Sequence, residues 1–163
     1  MPIVSIIRKL TKKPLDVHLM ITDPVDFIDD FYDAGAEIIS VHVEANNPRE
    51  ALVKINEKNI RSGIAFNPST PKEKIIPYLD IADMILVMSV EPGYCGQSFH
   101  ENAIDRVKYF KTNYPNKIIE VDGGVSTQNS AILGKNGADI LVAGSAIFKS
   151  NDPIQTIAEM KKS

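Results

Sequence analysis

Cysteine is almost absent from this 163-residue sequence, and the single one, Cys95, excludes an internal disulfide. Such a composition favours a reducing, cytoplasmic setting. The sequence also lacks any cluster of Lys and Arg and carries a formal net charge of -3, which argues against a nucleic-acid-binding protein. No apolar stretch approaches the roughly 18–20 residues of a membrane span, and residues 1–20 lack the layout of a signal peptide. We therefore expect a cytoplasmic protein that binds neither nucleic acid nor membrane.

What the sequence does contain is typical of one globular domain. Hydrophobic residues make up 44% of the chain and charged residues 24%, close to the average soluble protein. The length is sufficient to bury a core. We expect residues 1–163 to form a single domain.

Helix boundaries recur along the chain. The segment 34–39 resembles 136–141, and 81–86 is a looser copy. The first two contain a glycine where a helix is expected to end before the next strand begins. Helix starts are predicted where an N-cap residue precedes proline, and Thr70 with Glu73 fits a capping box. These pairs are Asp23-Pro24, Asn47-Pro48, Thr70-Pro71 and Asp152-Pro153.

The predicted strands are mostly apolar rather than alternating, which is typical of parallel strands covered on both faces. A helix is expected after each strand, and one more, over residues 4–10, precedes the first. Alternating strands and helices predict an α/β fold with right-handed crossovers. The six strands are predicted near residues 15–20, 38–44, 63–67, 84–90, 118–122 and 140–143.

The regular spacing of these units is typical of a (β/α)₈ barrel of the TIM type, but a full barrel needs eight units and at least ~200 residues. We therefore expect a TIM-barrel-type fold shortened to about six βα units plus a leading helix. Its first and last strands should be edges that expose apolar surface, which favours self-association into a homo-oligomer.

Chemically useful residues lie at the predicted strand ends. Asp122 is followed by Gly123 and Gly124, His18 lies near the end of the first strand, and Gly144 and Ser145 follow the last. In parallel sheets this edge is where ligands bind. Taken alone, Asp122 could cap a helix, His18 could be a packed histidine, and the glycines could be ordinary turns. Together they indicate one site with an acid, an imidazole ligand and anion-binding amides.

Six motifs, in this order, closely resemble the ribulose-phosphate 3-epimerase family, whose members are barrels of the ribulose-phosphate-binding type. The resemblance runs along essentially the whole chain. The motifs are Leu15-Asp16-Val17-His18-Leu19-Met20, Val41-His42-Val43-Glu44-Ala45, Asn67-Pro68-Ser69-Thr70-Pro71, Val87-Met88-Ser89-Val90 with Pro92-Gly93-Tyr94-Cys95-Gly96-Gln97, Glu120-Val121-Asp122-Gly123-Gly124, and Val142-Ala143-Gly144-Ser145-Ala146-Ile147-Phe148.

This resemblance implies an isomerase of the pentose phosphate pathway, which interconverts D-ribulose 5-phosphate and D-xylulose 5-phosphate. Metal-assisted proton transfer at C3 needs a base on one face, an acid on the other and a cation near the enediolate. Asp122 resembles one acid/base group and a metal ligand, and His18 resembles another metal ligand. We expect their ligand atoms within roughly 5 Å of each other. One divalent ion is implied, with zinc, iron, manganese and cobalt all compatible.

The resemblance also implies the contacts of a phosphorylated ketopentose. Its phosphate should lie on backbone amides at two strand ends, beneath a lid over residues 92–97. By contrast, His42 and Glu44 are expected to be polar wall residues, Asp16 either orients His18 or forms a structural salt bridge, and His100 is expected to be solvated. The implied substrate-binding residues are His18, Met20, Met88, Gly93, Tyr94, Cys95, Gly96, Asp122, Gly123, Gly124, Gly144 and Ser145.

The sequence departs from the family pattern in one respect. Family members open with two further strands that carry a substrate-contacting Ser and a His-x-Asp pair, and neither strand is present in these 163 residues. We therefore expect the isolated chain to be nearly inactive. Two alternatives stay open: an inactive or phosphosugar-binding homologue, and another ketose or phosphosugar 3-epimerase or decarboxylase of the same barrel. His18 in its Leu-Met context and the lid favour the epimerase.

Overall fold

The structure is a computed structural model that describes residues 1–91 and 99–162. Strands and helices alternate along these residues, as the sequence predicted. The strands are β1 (Asp16–Leu19), β2 (Ile38–His42), β3 (Arg61–Phe66), β4 (Met84–Met88), β5 (Ile118–Asp122) and β6 (Ile140–Val142). The helices are α1 (Pro2–Leu10), α2 (Ile28–Asp33), α3 (Pro48–Glu57), α4 (Asn102–Asn113), α5 (Ser130–Lys135), α6 (Ser145–Phe148) and α7 (Pro153–Met160).

The six strands form one sheet in the order of the chain, with β1 and β6 at its two ends. β1 pairs in parallel with β2, β2 with β3, and β5 with β6. Parallel neighbours in chain order require a crossover between successive strands, which the intervening segments supply. The predicted α/β class and all six predicted strands are confirmed, although four of the strands are one or two residues shorter than expected.

One predicted helix is wrong. After β3 the chain forms two short 3₁₀ turns, Lys72–Lys74 and Ile76–Tyr78, instead of an α-helix. Pro77 has no N–H to donate to a carbonyl four residues earlier, so an α-helix could not continue through it. The tighter hydrogen bond from the Tyr78 N–H to the Ile75 carbonyl forms instead.

Residues 1–66 and 73–84 form the first of two compact units. Every residue of β2 is buried, and so are the last five of β3. Helix α3 buries Ala51, Leu52 and Ile55 on one face, where each large aliphatic side chain contributes about 1.5–3 kcal/mol. The unit thus holds the carboxyl ends of β1 and β2 on a packed sheet.

Residues 67–72 and 85–163 form the second compact unit, described up to Lys162. Helix α4 buries Ala103, Val107 and Phe110 at three- and four-residue spacing, which places them on one face of the helix. Arg106, on the same helix, donates hydrogen bonds to the backbone carbonyls of Asn67 and Thr70, at 2.9 and 3.1 Å, and also to that of Pro68. A single guanidinium therefore fixes the loop that begins this unit.

Two helices end as their glycines predicted. After α2, the Gly35 N–H bonds the Tyr32 carbonyl and the Ala36 N–H bonds the Phe31 carbonyl. The same pair of bonds follows α5, from Gly137 to Gly134 and from Ala138 to Leu133. Both glycines have a positive φ, 102° and 106°. These are Schellman caps, in which glycine adopts the left-handed conformation at no steric cost.

The predicted N-caps are only partly correct. The Asp152 carboxylate accepts a hydrogen bond from the Gln155 N–H at 2.9 Å and caps α7. Asp23 and Asn47 precede their helices without a side-chain cap bond. Asn47 has a φ of 52°, so its backbone does not take the extended conformation that positions a capping side chain.

The terminal helices carry apolar side chains in water. On α1, Ile3 is 72% and Leu10 is 81% exposed. On α7, Ile154 is 82% exposed. Within residues 1–91 and 99–162, no helix has the length and hydropathy that a membrane-crossing segment requires.

Candidate active site

The carboxyl ends of β1 and β2 hold a chain of three hydrogen-bonded side chains. The Nε2 atoms of His18 and His42 lie 2.8 Å apart, and His42 Nδ1 lies 3.0 Å from Glu44 Oε2. His42 is 6% exposed, whereas the Glu44 side chain is 31% exposed. The chain therefore runs from the half-buried His18 through a buried imidazole to a carboxylate at the surface.

Strand register explains why these side chains meet. His18 is aligned with Ser40 in the parallel pairing of β1 with β2, and His42 lies two residues beyond Ser40 on the same strand face. On β3, Gly63 is the register partner of Ser40, and a Cβ at Gly63 would lie only 2.1 Å from Ser40 Oγ. Glycine there leaves room for the buried Ser40 hydroxyl.

The sequence predicted His18 but treated His42 and Glu44 as wall residues. The structure corrects that interpretation, since both take part in one hydrogen-bonded chain with His18. Alternation of His42 and Glu44 on one strand face was the only available signal. It could not identify His18 as their partner, because the register between β1 and β2 is not written in either strand.

The other residues predicted for this unit are less buried. Met20 follows β1 directly and is 45% exposed, so it is not packed in the core. Asp16 lies at the start of the same strand, and its side chain shares a strand face with His18.

In the second unit, Asp122 is the last residue of β5, and its backbone is held by Ser89. The Asp122 carbonyl accepts hydrogen bonds from the Ser89 N–H at 2.8 Å and from its hydroxyl at 3.1 Å. The same hydroxyl also donates to the Gly123 carbonyl. The Ser89 carbonyl in turn accepts from the His100 N–H at 2.8 Å. Ser89 is fully buried, so the backbone at Asp122 is held by hydrogen bonds to a residue in the core.

The two glycines after Asp122 are required by the backbone. Gly123 has a φ of 112° and Gly124 a φ of 60°. A Cβ at Gly123 would approach Val90 Cγ2 to 2.4 Å, and one at Gly124 would approach the Phe99 backbone N to 3.0 Å. Asn129 fixes the loop by donating from its side-chain amide to the Gly124 carbonyl at 3.0 Å. The conformation of the loop after β5 therefore requires glycine at positions 123 and 124 and is held by the Asn129 side chain.

Gly144 and Ser145 form the start of α6, directly after β6. Both residues are exposed, and a Cβ at Gly144 would meet no atom within 4 Å. Among the described residues, no backbone group accepts a hydrogen bond from either amide. Both residues therefore lie at the surface of the second unit.

The remaining predicted positions are Met88 on β4, the loop residues 93–96, and His100. Met88 ends β4 and is 1% exposed. Gly93, Tyr94, Cys95 and Gly96, together with the predicted lid, lie outside the described residues. His100 is exposed, as expected. His18 and Asp122 lie in different compact units, so their predicted separation of roughly 5 Å stays a prediction.

The donor set fits a divalent metal in its chemistry. An imidazole nitrogen from His18 and carboxylate oxygens from Asp122 are ligands that zinc, iron, manganese and cobalt accept. In residues 1–91 and 99–162, no group of three or more His, Cys, Asp or Glu side chains is arranged to hold an ion. His18 and Asp122 each carry one such donor type, in separate compact units.

A sheet of six strands in chain order, connected by helices and turns, defines a TIM-barrel-type α/β protein, a class that binds its ligands at the carboxyl ends of the strands. Comparison with known proteins identifies the group within this class. The profile of the Ribulose-phosphate 3 epimerase family matches residues 1–148. This chain therefore belongs to the ribulose-phosphate 3-epimerase family, as its motifs predicted.

Curated relatives match over nearly the whole chain. The cytoplasmic isoform of ribulose-phosphate 3-epimerase from Oryza sativa is 36% identical over 99% of this chain and 73% of its own length. The enzyme from Synechocystis is 41% identical over the same shares. The Bacillus subtilis enzyme is 38% identical, over 99% of this chain and 77% of its own length.

Solved structures confirm the fold type. 3-hexulose-6-phosphate synthase from Salmonella typhimurium superposes with a TM-score of 0.79, at 20% identity, over 98% of this chain and 77% of that one. KGPDC from Streptococcus mutans also gives a TM-score of 0.79, at 16% identity, over 98% of this chain and 76% of that one. At these identities the likeness concerns the fold alone.

Proposed function

We propose that this chain belongs to an epimerase that interconverts D-ribulose 5-phosphate and D-xylulose 5-phosphate, and that Asp122 acts on one face of the substrate. The observation that carries the proposal is family membership over residues 1–148, combined with an acid at the carboxyl end of β5. Asp122 is half-buried and stands on a backbone anchored by Ser89. A fixed carboxylate at this edge suits proton transfer at a bound carbon.

In this proposal Asp122 removes or returns the proton on one face of C3, and a second acid/base group serves the other face. The ketone at C2 makes the C3 proton removable, because the negative charge that develops spreads onto its oxygen. His18, at the end of β1, contacts the same part of the substrate. Proton transfer by a positioned side chain contributes typically 10²–10⁴-fold to a rate.

One divalent metal ion, held in part by His18 and Asp122, belongs to this proposal. Such an ion supplies positive charge beside a developing enediolate oxygen. The imidazole and carboxylate donors fit zinc, iron, manganese or cobalt. Two donors hold an ion less tightly than the three or four of complete protein sites, so we expect weak binding by these residues alone.

The phosphate of the substrate is proposed to lie on amides of Gly123, Gly124, Gly144 and Ser145. Further substrate contacts are proposed for Gly93, Tyr94, Cys95 and Gly96, which lie outside the described residues. Support comes from the positive φ of Gly123 and Gly124 and from the exposure of Gly144 and Ser145. Backbone amides at a helix start and in a turn favour an anion. Met20 and Met88 would flank the sugar.

Self-association and a cytoplasmic location complete the proposal. The apolar side chains of Ile3 and Leu10 on α1 are largely in water, and such surface commonly marks an interaction face. Light scattering over a tenfold range of concentration would give a dimer or larger assembly. A monomer at every concentration would contradict this part.

The reaction is tested by an epimerisation assay on the 163 residues joined behind the first two strands of a family member such as the Synechocystis enzyme. We expect turnover, and Asp122→Asn should lower it by roughly 10²–10⁴-fold. Asp105→Asn on the exposed first turn of α4 is the matched control and should leave turnover unchanged. Substrate binding without turnover would favour the phosphosugar-binding alternative, and release of CO₂ from a keto-acid phosphate would favour the decarboxylase.

A further inference from the structure

We propose that Ser89 is a positioning residue for the backbone amides of the loop after β5. Its N–H and its hydroxyl hold two successive carbonyls, those of Asp122 and Gly123, toward the core. The amides of Gly123 and Gly124 are thereby turned to the opposite side, where one anion can accept from both. The relevance of this arrangement to phosphate binding rests on the proposed function, whereas the arrangement itself belongs to the second compact unit.

Ser89 contacts both carbonyls with two different donors. It directly follows β4 and is fully buried. Its N–H donates to the Asp122 carbonyl at 2.8 Å, and its hydroxyl contacts the Asp122 carbonyl at 3.1 Å and also the Gly123 carbonyl. A hydroxyl has one proton to donate, and the Asp122 carbonyl already receives the N–H. The hydroxyl proton is therefore available to the Gly123 carbonyl.

Peptide geometry relates the direction of each carbonyl to that of the following amide. In a planar trans peptide unit, the C=O bond and the N–H bond of the next residue point in opposite directions, and the described residues contain no cis peptide bond. The Asp122 carbonyl points toward Ser89, so the Gly123 N–H points away from it. The Gly123 carbonyl does the same, so the Gly124 N–H also points away. Two successive amides therefore face one side of the loop.

The glycines allow this arrangement of the backbone. Gly123 has a φ of 112° and Gly124 a φ of 60°, values that glycine adopts without steric cost. The loop lies close against the end of β4, since a Cβ at Gly123 would come within 3.0 Å of the Val90 backbone N. Gly124 is exposed whereas Ser89 is buried, which agrees with carbonyls directed inward and amides directed outward.

Successive amides that face one side form a binding site for an anion. One hydrogen bond to a charged group contributes roughly 10–100-fold to an affinity. Without the Ser89 hydroxyl, the Gly123 carbonyl loses its donor, and rotation of that peptide unit carries the Gly124 N–H out of line. The Gly123 N–H stays in place, because the N–H of residue 89 still holds the Asp122 carbonyl.

Crystal structures of the 163-residue chain without ligand test the orientation. In the wild type, the carbonyls of Asp122 and Gly123 should both point at Ser89. In Ser89→Ala, the peptide unit between Gly123 and Gly124 should rotate, while the Gly123 N–H keeps its direction. An unrotated peptide unit in this variant would overturn the proposal. Ser89→Cys keeps the side-chain volume with only a weak donor, and it takes the place of Ser89→Ala if that variant does not fold.

Binding of D-ribulose 5-phosphate separates positioning from packing. Titration of the ¹⁵N-labelled chain, followed through its amide signals, should give a roughly 10–100-fold weaker affinity for Ser89→Ala. Unphosphorylated D-ribulose should bind equally to both proteins. Ser62→Ala is the matched control, because Ser62 is a fully buried serine of the first unit whose hydroxyl also contacts a backbone carbonyl. It should leave both affinities unchanged, and equal losses for both sugars in Ser89→Ala would contradict positioning.

A conservative variant and a kinetic readout complete the test. Ser89→Thr keeps the hydroxyl and should restore the affinity for D-ribulose 5-phosphate. In the fusion with the first two strands of the Synechocystis enzyme, Ser89→Ala should raise KM and leave kcat nearly unchanged, since the Asp122 backbone stays held. A fall in kcat at constant KM would overturn the proposal. A wild-type chain with both amides on one side that binds no phosphosugar would instead refute the proposed function and leave the role of Ser89 intact.

Discussion

The strand ends in the two compact units are built differently. At β1 and β2, side chains hold one another, in the order His18, His42 and Glu44. At β5, the backbone is held instead: Ser89 bonds the carbonyls of Asp122 and Gly123. The first region fixes an imidazole, and the second fixes a turn.

This difference determines what each region tolerates. The β1–β2 region depends on donors and acceptors, so loss of one polar atom should disturb it while its backbone stays intact. The β5 region depends on glycine conformations, so addition of a single methyl group should disturb it. Substitutions at the two regions should therefore have effects of different kinds.

The largest expected effect concerns proton transfer at C3, which needs a second acid/base group besides Asp122. Asp122 is the one residue here that resembles an acid/base group of the family, so the 163 residues by themselves should turn over poorly. Joining them behind the first two strands of the Synechocystis enzyme should raise the rate by roughly 10²–10⁴-fold. The rate constant for epimerisation, in protein purified from a host lacking its own epimerase, is the measurement.

The same fusion carrying Asp122→Asn is the control for that experiment. It should return the rate to that of the isolated chain. Equal, rapid epimerisation by the isolated chain and the fusion would mean that the chemistry does not need the groups we assign.

The next largest effect concerns the proposed phosphate contact at Gly144, at the start of α6. Gly144→Leu places a bulky side chain over the amides that we propose for the phosphate, while the open space around Gly144 lets the protein fold. Loss of hydrogen bonds to a charged group should weaken binding of D-ribulose 5-phosphate by roughly 10–100-fold. Calorimetric titration gives the affinity.

Two comparisons make this reading specific. Binding of unphosphorylated D-ribulose should be nearly unchanged by Gly144→Leu, and Ala131→Leu, an exposed change on α5, should affect neither ligand. Equal losses for both sugars would argue against a phosphate contact at Gly144.

A smaller effect sharpens the contrast between the two glycine loops. Gly123→Ala puts a Cβ at a φ of 112° and 2.4 Å from Val90 Cγ2, which should lower the free energy of unfolding by about 1–3 kcal/mol. Gly144→Ala has an ordinary φ of -103° and open space, so its unfolding free energy should stay near the wild-type value. Urea denaturation of both variants provides the test. Equal destabilisation would contradict the claim that the backbone requires glycine at position 123 but not at position 144.

The smallest effect lies away from both regions. Lys54 and Lys58 bond Asp29 at 2.8 and 2.5 Å, which lowers the pKa of Asp29 from 3.8 to about 2. A lowered pKa in the folded state adds stability that is fully present above pH 3.8 and disappears as the pH falls toward 2. Because the pair is exposed, the gain is small.

Asp29→Asn should therefore destabilise the protein slightly at neutral pH, and the difference from the wild type should shrink between pH 4 and pH 2. Urea unfolding at three pH values within this range measures it. A difference that grows on acidification would contradict the assignment.

The fold was largely predictable from the sequence because its signals are local. Gly35 and Gly137 mark helix ends through their own backbone preference, and the apolar runs of β2 and β4 identify buried strands without knowledge of their neighbours. The α-helix expected after β3 is replaced by two 3₁₀ turns for an equally local reason, since Pro77 has no N–H to donate to the carbonyl four residues earlier.

In the candidate site, the sequence indicates single residues and backbone turns more readily than contacts between strands. Gly123 and Gly124 are written in the sequence, and their positive φ values follow from residue type. The bond between His18 and His42 joins residues on separate strands, so it depends on the register of β1 against β2 and on the space left by Gly63 near Ser40. No pattern in either strand alone encodes that contact.

The central claim, that Asp122 serves one face of C3, is tested most directly by hydrogen exchange in D₂O. Each ketopentose phosphate presents its C3 hydrogen to one face, so the two acid/base groups act on different substrates. In the fusion, Asp122→Asn should lower epimerisation and the exchange of one substrate by roughly 10²–10⁴-fold, while the other substrate still exchanges its C3 hydrogen for deuterium. Exchange of both substrates at the wild-type rate would contradict the account.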